Sequence, residues 1–242
     1  MDDFSPLSAL DSMPAAPPAP LRPTRALSRV VIALVGVYVF ANALQVAIMS
    51  VLRTTLGSGE PLSPLLTQLD QIQTQLPLIE SLLYVSSGVC FLVLVSRLVA
   101  NLPLLGSKTL LTPTSAVWSF LIPIVNIVGG YSTTRTIWTE SQPATQDTLS
   151  PRSVPLLGFW WAAYIILGIS GRILGMRTNL PAGYTIEQWS TASYLSSMHS
   201  AVEMTAGVLF MCVVYLLDGR QNEQHEDLTR RVPVAMASDL LR

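Results

Sequence analysis

The chain has 242 residues, half of them apolar and only 12% charged, and its formal net charge at pH 7 is −1. A soluble domain usually carries about 25% charged residues, so this composition indicates a membrane protein. Nucleic-acid binding is not expected, because no basic surface is dense enough to replace the counterions of a phosphate backbone. The two cysteines, Cys90 and Cys212, lie inside apolar runs and predict small packed side chains without a disulfide or metal site.

The N-terminal residues 1–28 are rich in Pro, Ala and Ser and predict a disordered cytoplasmic tail. An uncharged apolar run follows over 30–52, and its length at helical rise is enough to cross a hydrocarbon core of about 30 Å. A cleaved signal peptide is the alternative, with a small-residue cleavage site at Ala41-Asn42-Ala43. The apolar run continues past Ala43 to Leu52, which favours a membrane anchor.

Three further apolar runs predict transmembrane helices over 77–95, 154–171 and 194–217. Together with 30–52 they define a four-helix transmembrane domain over 29–218. Before the second run, apolar residues recur at helical spacing over 65–72, which predicts a short amphipathic helix on the membrane surface or leading into the span. Residues 219–242 are expected to form a charged cytoplasmic tail.

The apolar stretch 116–131 is short for a span, and it contains Pro123, Asn126 and the pair Gly129-Gly130, which are unfavourable in an uninterrupted helix. Four crossings would leave eleven of the 14 Lys and Arg residues in the cytoplasm, whereas five crossings would leave seven. The positive-inside rule therefore predicts four crossings with both termini cytoplasmic. The predicted fold class is all-α: an integral membrane bundle of four transmembrane helices, with 116–131 as a re-entrant or interfacial segment on the cytoplasmic side.

Nine residues between the second and third spans occur in a characteristic order, namely Asn101, Leu102, Gly106, Pro113, Trp118, Pro123, Asn126, Tyr131 and Trp138. In this order they resemble the bacterial membrane family catalogued as domain of unknown function 4328. The resemblance covers 30–218 and implies a four-helix, multi-pass protein of the bacterial cytoplasmic (inner) membrane, but it implies no activity. Gly129-Gly130 departs from the Arg-Pro that family members typically show before the Tyr.

Pro123 and Asn126 predict a break within 116–131. Pro123 leaves a helical carbonyl free, and Asn126 could satisfy that carbonyl or cap a second half-helix. Two interpretations stay open. The segment is either an amphipathic connector anchored at the headgroups by Trp118, Tyr131 and Trp138, or a broken helix that binds an ion or substrate, as in transporters.

Four polar residues are expected at membrane depth: Asn42 and Gln45 on the first span, and His199 and Glu203 on the fourth. Each pair shares one helix face, so we expect both pairs to point into the bundle and Glu203 to hydrogen-bond to the first span at Asn42 or Gln45. His199 need not meet Glu203, because both side chains point toward the helix N-terminus. The pairs could form a structural hydrogen-bond knot or a site for a proton or ligand.

The sequence contains none of the GxSxG, HExxH or P-loop signatures, so we expect neither enzymatic activity nor a cofactor. The leading hypothesis is a non-enzymatic scaffold or accessory subunit, with membrane lipids and a larger membrane complex or a second copy of the chain as partners. The alternative is a small transporter, channel or ligand sensor that uses the intramembrane polar residues, and a lipid-modifying enzyme is a third possibility. A polar cavity that reaches Glu203 would favour transport or sensing, and a packed interior would favour a scaffold.

Overall fold

The computed structural model describes residues 20–57, 64–141, 155–177 and 185–239. Within these ranges the chain forms helices and no strand. The six α-helices are α1 (Arg25–Gly57), α2 (Pro64–Asn101), α3 (Pro113–Leu121), α4 (Pro123–Glu140), α5 (Pro155–Arg177) and α6 (Ile186–Asp239), with a 3₁₀ turn at Leu102–Leu105 after α2. The first 19 residues of the expected N-terminal tail lie outside the described residues.

Four of the helices in the described ranges are long and apolar enough to cross a membrane. The candidate segments are Arg25–Thr55, Gln75–Leu105, Pro155–Leu174 and Glu187–Arg230, and they belong to α1, α2, α5 and α6. The predicted fold class, an all-α membrane bundle of four such helices, is therefore confirmed. The amphipathic stretch 65–72 is the beginning of α2, so it leads directly into the second span.

The four long helices pack in the order α2, α1, α6, α5, because α1 contacts both α2 and α6, and α6 also contacts α5. Helices α1 and α6 approach closely at Gly207, where an added Cβ would lie 2.6 Å from Cγ2 of Val39. A residue without a side chain lets the two backbones approach here, as small residues commonly do between membrane helices. The outer members of the row, α2 and α5, face each other across a cavity described below.

The apolar interior is divided into two clusters by a layer of polar residues. The larger cluster lies toward the end of α2 and includes buried side chains from all six α-helices, among them Val31, Leu94, Ala116, Trp138, Trp160 and Val213. The smaller cluster, at the other end of the bundle, contains Ile48, Leu52 and Leu76, with Trp189 packed against it. Between the clusters lie residues 38–45 of α1, 80–84 of α2 and 199–203 of α6.

A chain of amide and hydroxyl contacts joins the helices at one end of the bundle, which we call the polar end. The backbone N–H of Arg22 donates to Asn101 Oδ1 (2.9 Å), and Asn101 Nδ2 donates to Gln221 Oε1 (3.3 Å). Gln221 Nε2 in turn donates to Ser141 Oγ (3.2 Å). The start of α1, the end of α2, the end of α4 and the C-terminal part of α6 therefore meet at the same end.

Helix α6 continues without interruption through the region expected as a charged tail, as far as Asp239. Gln221 is fully buried, and Gln224 Nε2 donates to the carbonyl of Leu105 at 3.0 Å. These two amides lie three residues apart on one helix face and bond the end of α2 and the turn after it. The order of this segment comes from tertiary contacts that a polar composition does not reveal.

The segment 116–131 is divided between α3 and α4, which form a helical hairpin. Thr112 caps α3 in a capping box with Ser115, and Pro113 occupies the first turn. Pro123 ends α3 at the extended residue Ile122 and begins α4. Ser107 Oγ donates to Glu140 Oε2 at 2.7 Å, so the chain returns to the polar end after the hairpin, as expected for a segment that does not cross.

Candidate functional site

The polar layer contains a continuous chain of side-chain contacts from α1 through α6 to α5. The hydroxyl of Tyr38 donates to Glu203 Oε1 at 2.9 Å, and His199 Nε2 lies 3.6 Å from the same oxygen. His199 Nδ1 is 2.8 Å from Ser170 Oγ. Glu203 therefore lies between two polar partners from different helices, at a depth where an unpaired carboxylate would cost several kcal/mol.

A second carboxylate enters the layer from α2. With the Gln45 amide oriented so that its nitrogen faces Glu80, Gln45 donates to Glu80 Oε1 at 3.1 Å and to Oε2 at 3.3 Å. The opposite orientation would place the amide oxygen against the carboxylate oxygens. Glu80 and Glu203 line the same part of the cavity described below. The layer thus contains two acidic groups on α2 and α6, each bonded to a side chain of α1.

The four polar residues singled out from the sequence all lie in this layer, but their pairing differs from the expected one. Glu203 does hydrogen-bond to α1, through Tyr38 instead of Asn42 or Gln45. Asn42 donates to the carbonyl of Tyr38 on its own helix at 3.1 Å, and its Oδ1 is buried without a partner. His199 does approach Glu203, because its imidazole extends along the helix from one turn before the carboxylate.

Sequence reasoning missed three members of the site: Tyr38, Glu80 and Ser170. A signal for Tyr38 existed, because it lies one helical turn before Asn42 and therefore on the same face. Glu80 was visible as an acidic residue near the start of the second span. Ser170 gave no signal, since serine is common in membrane helices and its role depends on which residue of α6 lies opposite. The close approach of α5 and α6 at that level involves Gly171, whose added Cβ would lie 3.4 Å from His199 Cε1.

The polar layer opens into a cavity between α2 and α5. The cavity has two adjoining parts of ≈ 390 Å³ and ≈ 660 Å³, which share the lining residues Tyr38, Tyr84, Leu167 and Glu203. The smaller part is mostly apolar and is surrounded by aromatic rings. It extends toward the end of the bundle at which α2 ends, which is the polar end defined above. The larger part is more polar, and Glu80, His199 and Arg172 line it. Small-molecule sites in proteins typically enclose volumes in this range.

The hairpin lines one side of the apolar part of the cavity, through Phe120, Leu121 and Asn126. Asn126 Nδ2 donates to the hydroxyl of Tyr164 at 2.7 Å, and Trp161 Nε1 donates to the carbonyl of Ile127 at 3.0 Å. These two bonds attach the hairpin tip to α5. Gly130 permits the contact, because an added Cβ would lie 2.5 Å from Cη2 of Trp161. Gly130 is thus explained by close packing against an aromatic side chain, whereas an added Cβ at Gly129 would lie 2.9 Å from Val125 Cγ1 and 3.2 Å from Ser119 Cβ within the hairpin.

Ser170, His199 and Glu203 are the residue types of a hydrolytic triad, but their surroundings do not suit acyl transfer. Ser170 lies within α5 and its hydroxyl also donates to the carbonyl of Leu167 at 3.1 Å. Backbone N–H groups inside a helix are already bonded, whereas stabilisation of an oxyanion requires free donors near the nucleophile. Among the described residues, no group of three or more His, Cys, Asp and Glu side chains is arranged to hold a metal ion.

Residues 65–219, more than half of the chain, match the family described as Domain of unknown function (DUF4328). The chain belongs to this family. No curated protein and no solved structure matches the DUF4328 chain significantly. The family resemblance seen in the sequence is therefore confirmed over 65–219, a range that includes the polar residues of α2, α5 and α6 together with the hairpin. The first span, 30–52, lies outside the matched residues.

In this DUF4328 protein the residues of the sequence motif are mainly structural. Asn101 is fully buried in the contact chain of the polar end, and Gly106 has a φ of 83°, which favours glycine. Tyr131 packs against Trp161 with ring centroids 6.2 Å apart. Trp138 is buried beneath the guanidinium of Arg220, whose Cζ is 3.7 Å from the ring centroid. Of the motif residues, Asn126 lines the cavity, whereas Trp118 is more than half exposed on the surface of α3.

Proposed function

We propose that the protein binds a small ligand within the membrane, as a small transporter or ligand sensor, in the cavity between α2 and α5. The observation that carries this proposal is the cavity itself, which reaches the Glu203 carboxylate. A scaffold or accessory subunit, the leading expectation from the sequence, has less support, because a purely structural hydrogen-bond knot would be expected in a packed interior.

The proposed role is binding without covalent chemistry. It is supported by the position of Ser170 inside α5, where no free backbone donor is expected beside it, and by the division of the cavity lining into an apolar and a polar part. Ligand sites are commonly apolar cavities with a small number of polar groups that fix orientation. Glu80, Glu203, His199 and Arg172 are among the polar groups that line this cavity, and Asn126 lines its apolar part.

We further propose that the protein lies in the bacterial cytoplasmic membrane with both termini in the cytoplasm. The support is the excess of Lys and Arg in the segments assigned to the cytoplasm, and the meeting of the start of α1 with the C-terminal part of α6 at the polar end. A reporter enzyme active only in the cytoplasm, fused after Arg242, is expected to be active. A periplasmic reporter that is active at the same position would contradict this orientation.

The ligand-binding proposal is tested by the access of water to the cavity. Gly168 lines the polar part of the cavity and has no atom within 4 Å of an added Cβ, so Gly168→Cys fits without a clash. Ile166, two residues earlier on α5, is 52% exposed on the surface of the bundle. Both cysteines are introduced into a Cys90→Ala, Cys212→Ala chain in lipid vesicles and treated with N-ethylmaleimide, which reacts with thiols that water can ionise.

We expect Gly168→Cys to react and Ile166→Cys, facing the acyl chains, to resist the reagent. Ser81→Cys, which lines the same part of the cavity from α2, serves as a second cavity position. If both cavity positions are as unreactive as Ile166→Cys, the interior is closed to water. A scaffold role would then be the better explanation of the polar layer.

A further inference from the structure

The chemistry of the cavity lining restricts the class of ligand, and the first restriction is charge. Two carboxylates, Glu80 and Glu203, line its polar part, together with Arg172 and His199. Arg172 is exposed, at the C-terminal part of α5, so its charge is well solvated compared with those of the half-buried carboxylates. The lining therefore has two carboxyl groups against one solvated guanidinium, an acidic excess that a bound cation would offset.

The second restriction comes from the aromatic rings that surround the cavity. Tyr38 and Tyr84, whose ring centroids are 6.3 Å apart, line both parts. Trp161 and Tyr164 line the apolar part, with ring centroids 5.0 Å apart. Aromatic faces attract cations, and the attraction is stronger where water is excluded. The rings also provide a large apolar surface for a hydrophobic body.

The third restriction on the ligand is that the acidic part and the apolar part of the cavity lie next to each other. Glu203 lines both the acidic part and the apolar part, so a ligand whose charge lies near this residue has an apolar space next to it. A bare metal ion would leave the apolar part unused. An anionic amphiphile would bring its charge against two carboxylates.

We propose that the ligand is a lipophilic organic cation, with an ammonium or phosphonium centre attached to an aromatic or alkyl body. The charged centre lies between Glu80 and Glu203, and the body extends among the rings toward the hairpin tip. This inference rests on the proposed function, since it specifies the ligand of the same cavity. The orientation follows from the lining, because the two carboxylates are at one end and Trp161 is at the other.

The test uses two probe ions of the same shape and opposite charge, tetraphenylphosphonium and tetraphenylborate. Each is added to vesicles that contain the Gly168→Cys or Ser81→Cys chain, and the rate of reaction with N-ethylmaleimide is measured. We expect tetraphenylphosphonium to slow the reaction by about tenfold or more at saturation, because the bound ion covers the thiol. Tetraphenylborate should leave the rate unchanged.

The carboxylates are then tested by substitution with amides of the same shape. Glu80→Gln and Glu203→Gln should each weaken tetraphenylphosphonium binding by about tenfold, because each substitution removes one charge partner of the cation. Gly88→Leu should also weaken it, because Gly88 lines the apolar part and an added Cβ there has no atom within 4 Å. Gly158→Leu, a glycine of α5 with equal space that does not line the cavity, is the control.

The outcomes separate this inference from the proposed function. Equal protection of the cysteines by the two ions would show apolar binding without charge selection, as expected if an acyl chain of a lipid occupies the cavity. Reactive cysteines that neither ion protects would leave a water-filled cavity with a different ligand. Either result overturns the organic-cation proposal while the ligand-binding proposal stands. Unreactive cavity cysteines overturn both.

Discussion

Tyr38 of α1 and Glu203 of α6 form a direct side-chain hydrogen bond of 2.9 Å across the bundle, between residues that are 165 positions apart in the chain. Interhelical hydrogen bonds in membranes contribute about 0.6 kcal/mol on average and up to about 1.7 kcal/mol. We therefore predict a coupling of this size in a double-mutant cycle of Tyr38→Phe and Glu203→Leu, measured by unfolding in mixed micelles. Strictly additive effects of the two substitutions would contradict a direct bond.

The cycle has a matched control on α6. Tyr215 is 69% exposed on the outer surface of the bundle, and Tyr215→Phe removes the same hydroxyl without touching Glu203. The effects of Tyr215→Phe and Glu203→Leu on the free energy of unfolding should therefore be additive. Glu203→Gln keeps an oxygen that accepts the Tyr38 hydroxyl and should change stability little, so its expected effect on cation binding is separable from folding.

The contact of Gly207 with α1 predicts opposite effects for two glycine substitutions on α6. Ala stabilises a helix by about 1 kcal/mol relative to Gly, so Gly219→Ala, with no atom within 4 Å of the new Cβ, should raise stability. Gly207→Ala should lower it, because the new methyl group would lie 2.6 Å from Val39 Cγ2, and the branched side chain of valine adjusts little. The melting temperatures of the two variants should therefore lie on opposite sides of the wild-type value. Equal gains in melting temperature for the two variants would show that α1 and α6 are not in close contact at Gly207.

The bonds of the hairpin tip predict a local effect that leaves the bundle intact. Asn126→Ala and Tyr164→Phe each remove the 2.7 Å bond between α4 and α5. Amide hydrogen exchange in 116–131 should become faster, while exchange in α1 and α6 stays at the wild-type rate, because local opening requires less free energy than global unfolding. An unchanged exchange rate in 116–131 would mean that the packing of Gly130 against Trp161 keeps the hairpin tip in place without the side-chain amide of Asn126.

The sequence was sufficient to predict the parts of this structure that depend on length and hydropathy. The four helices long enough to cross a membrane, the break at Pro123 and the inward orientation of Glu203 all follow from local composition and from the cost of exposing charge to lipid. The α6 segment beyond Leu217 was expected as a tail because its residues are polar. Its order depends on Gln221 and Gln224, whose partners on α2 and the following turn are about 120 residues away.

The pairing within the polar layer could not be read from the sequence for a related reason. Depth along a helix is proportional to residue number, so matching Asn42 and Gln45 with Glu203 identified the correct level. Which side chain reaches the carboxylate depends on the rotation of α1 and on side-chain length. The hydroxyl of Tyr38 lies far from its backbone and reaches Glu203 from one turn before Asn42. The cavity is equally non-local, because it depends on the order in which the four helices pack.

The last prediction concerns the hairpin, and it follows from the return of the chain to the polar end. Lys108, before α3, and Arg135, in α4, are both exposed, as is Thr54 near the end of α1. Each is replaced by cysteine in a Cys90→Ala, Cys212→Ala chain and treated in intact cells with a membrane-impermeant maleimide. Because Ser107 bonds to Glu140 across the base of the hairpin, Lys108→Cys and Arg135→Cys should be labelled from the same side, and only after the cytoplasm is opened. Thr54→Cys should be labelled in intact cells. Labelling of Arg135→Cys together with Thr54→Cys would mean that 116–131 crosses the membrane, and would reverse the orientation of α5 and α6.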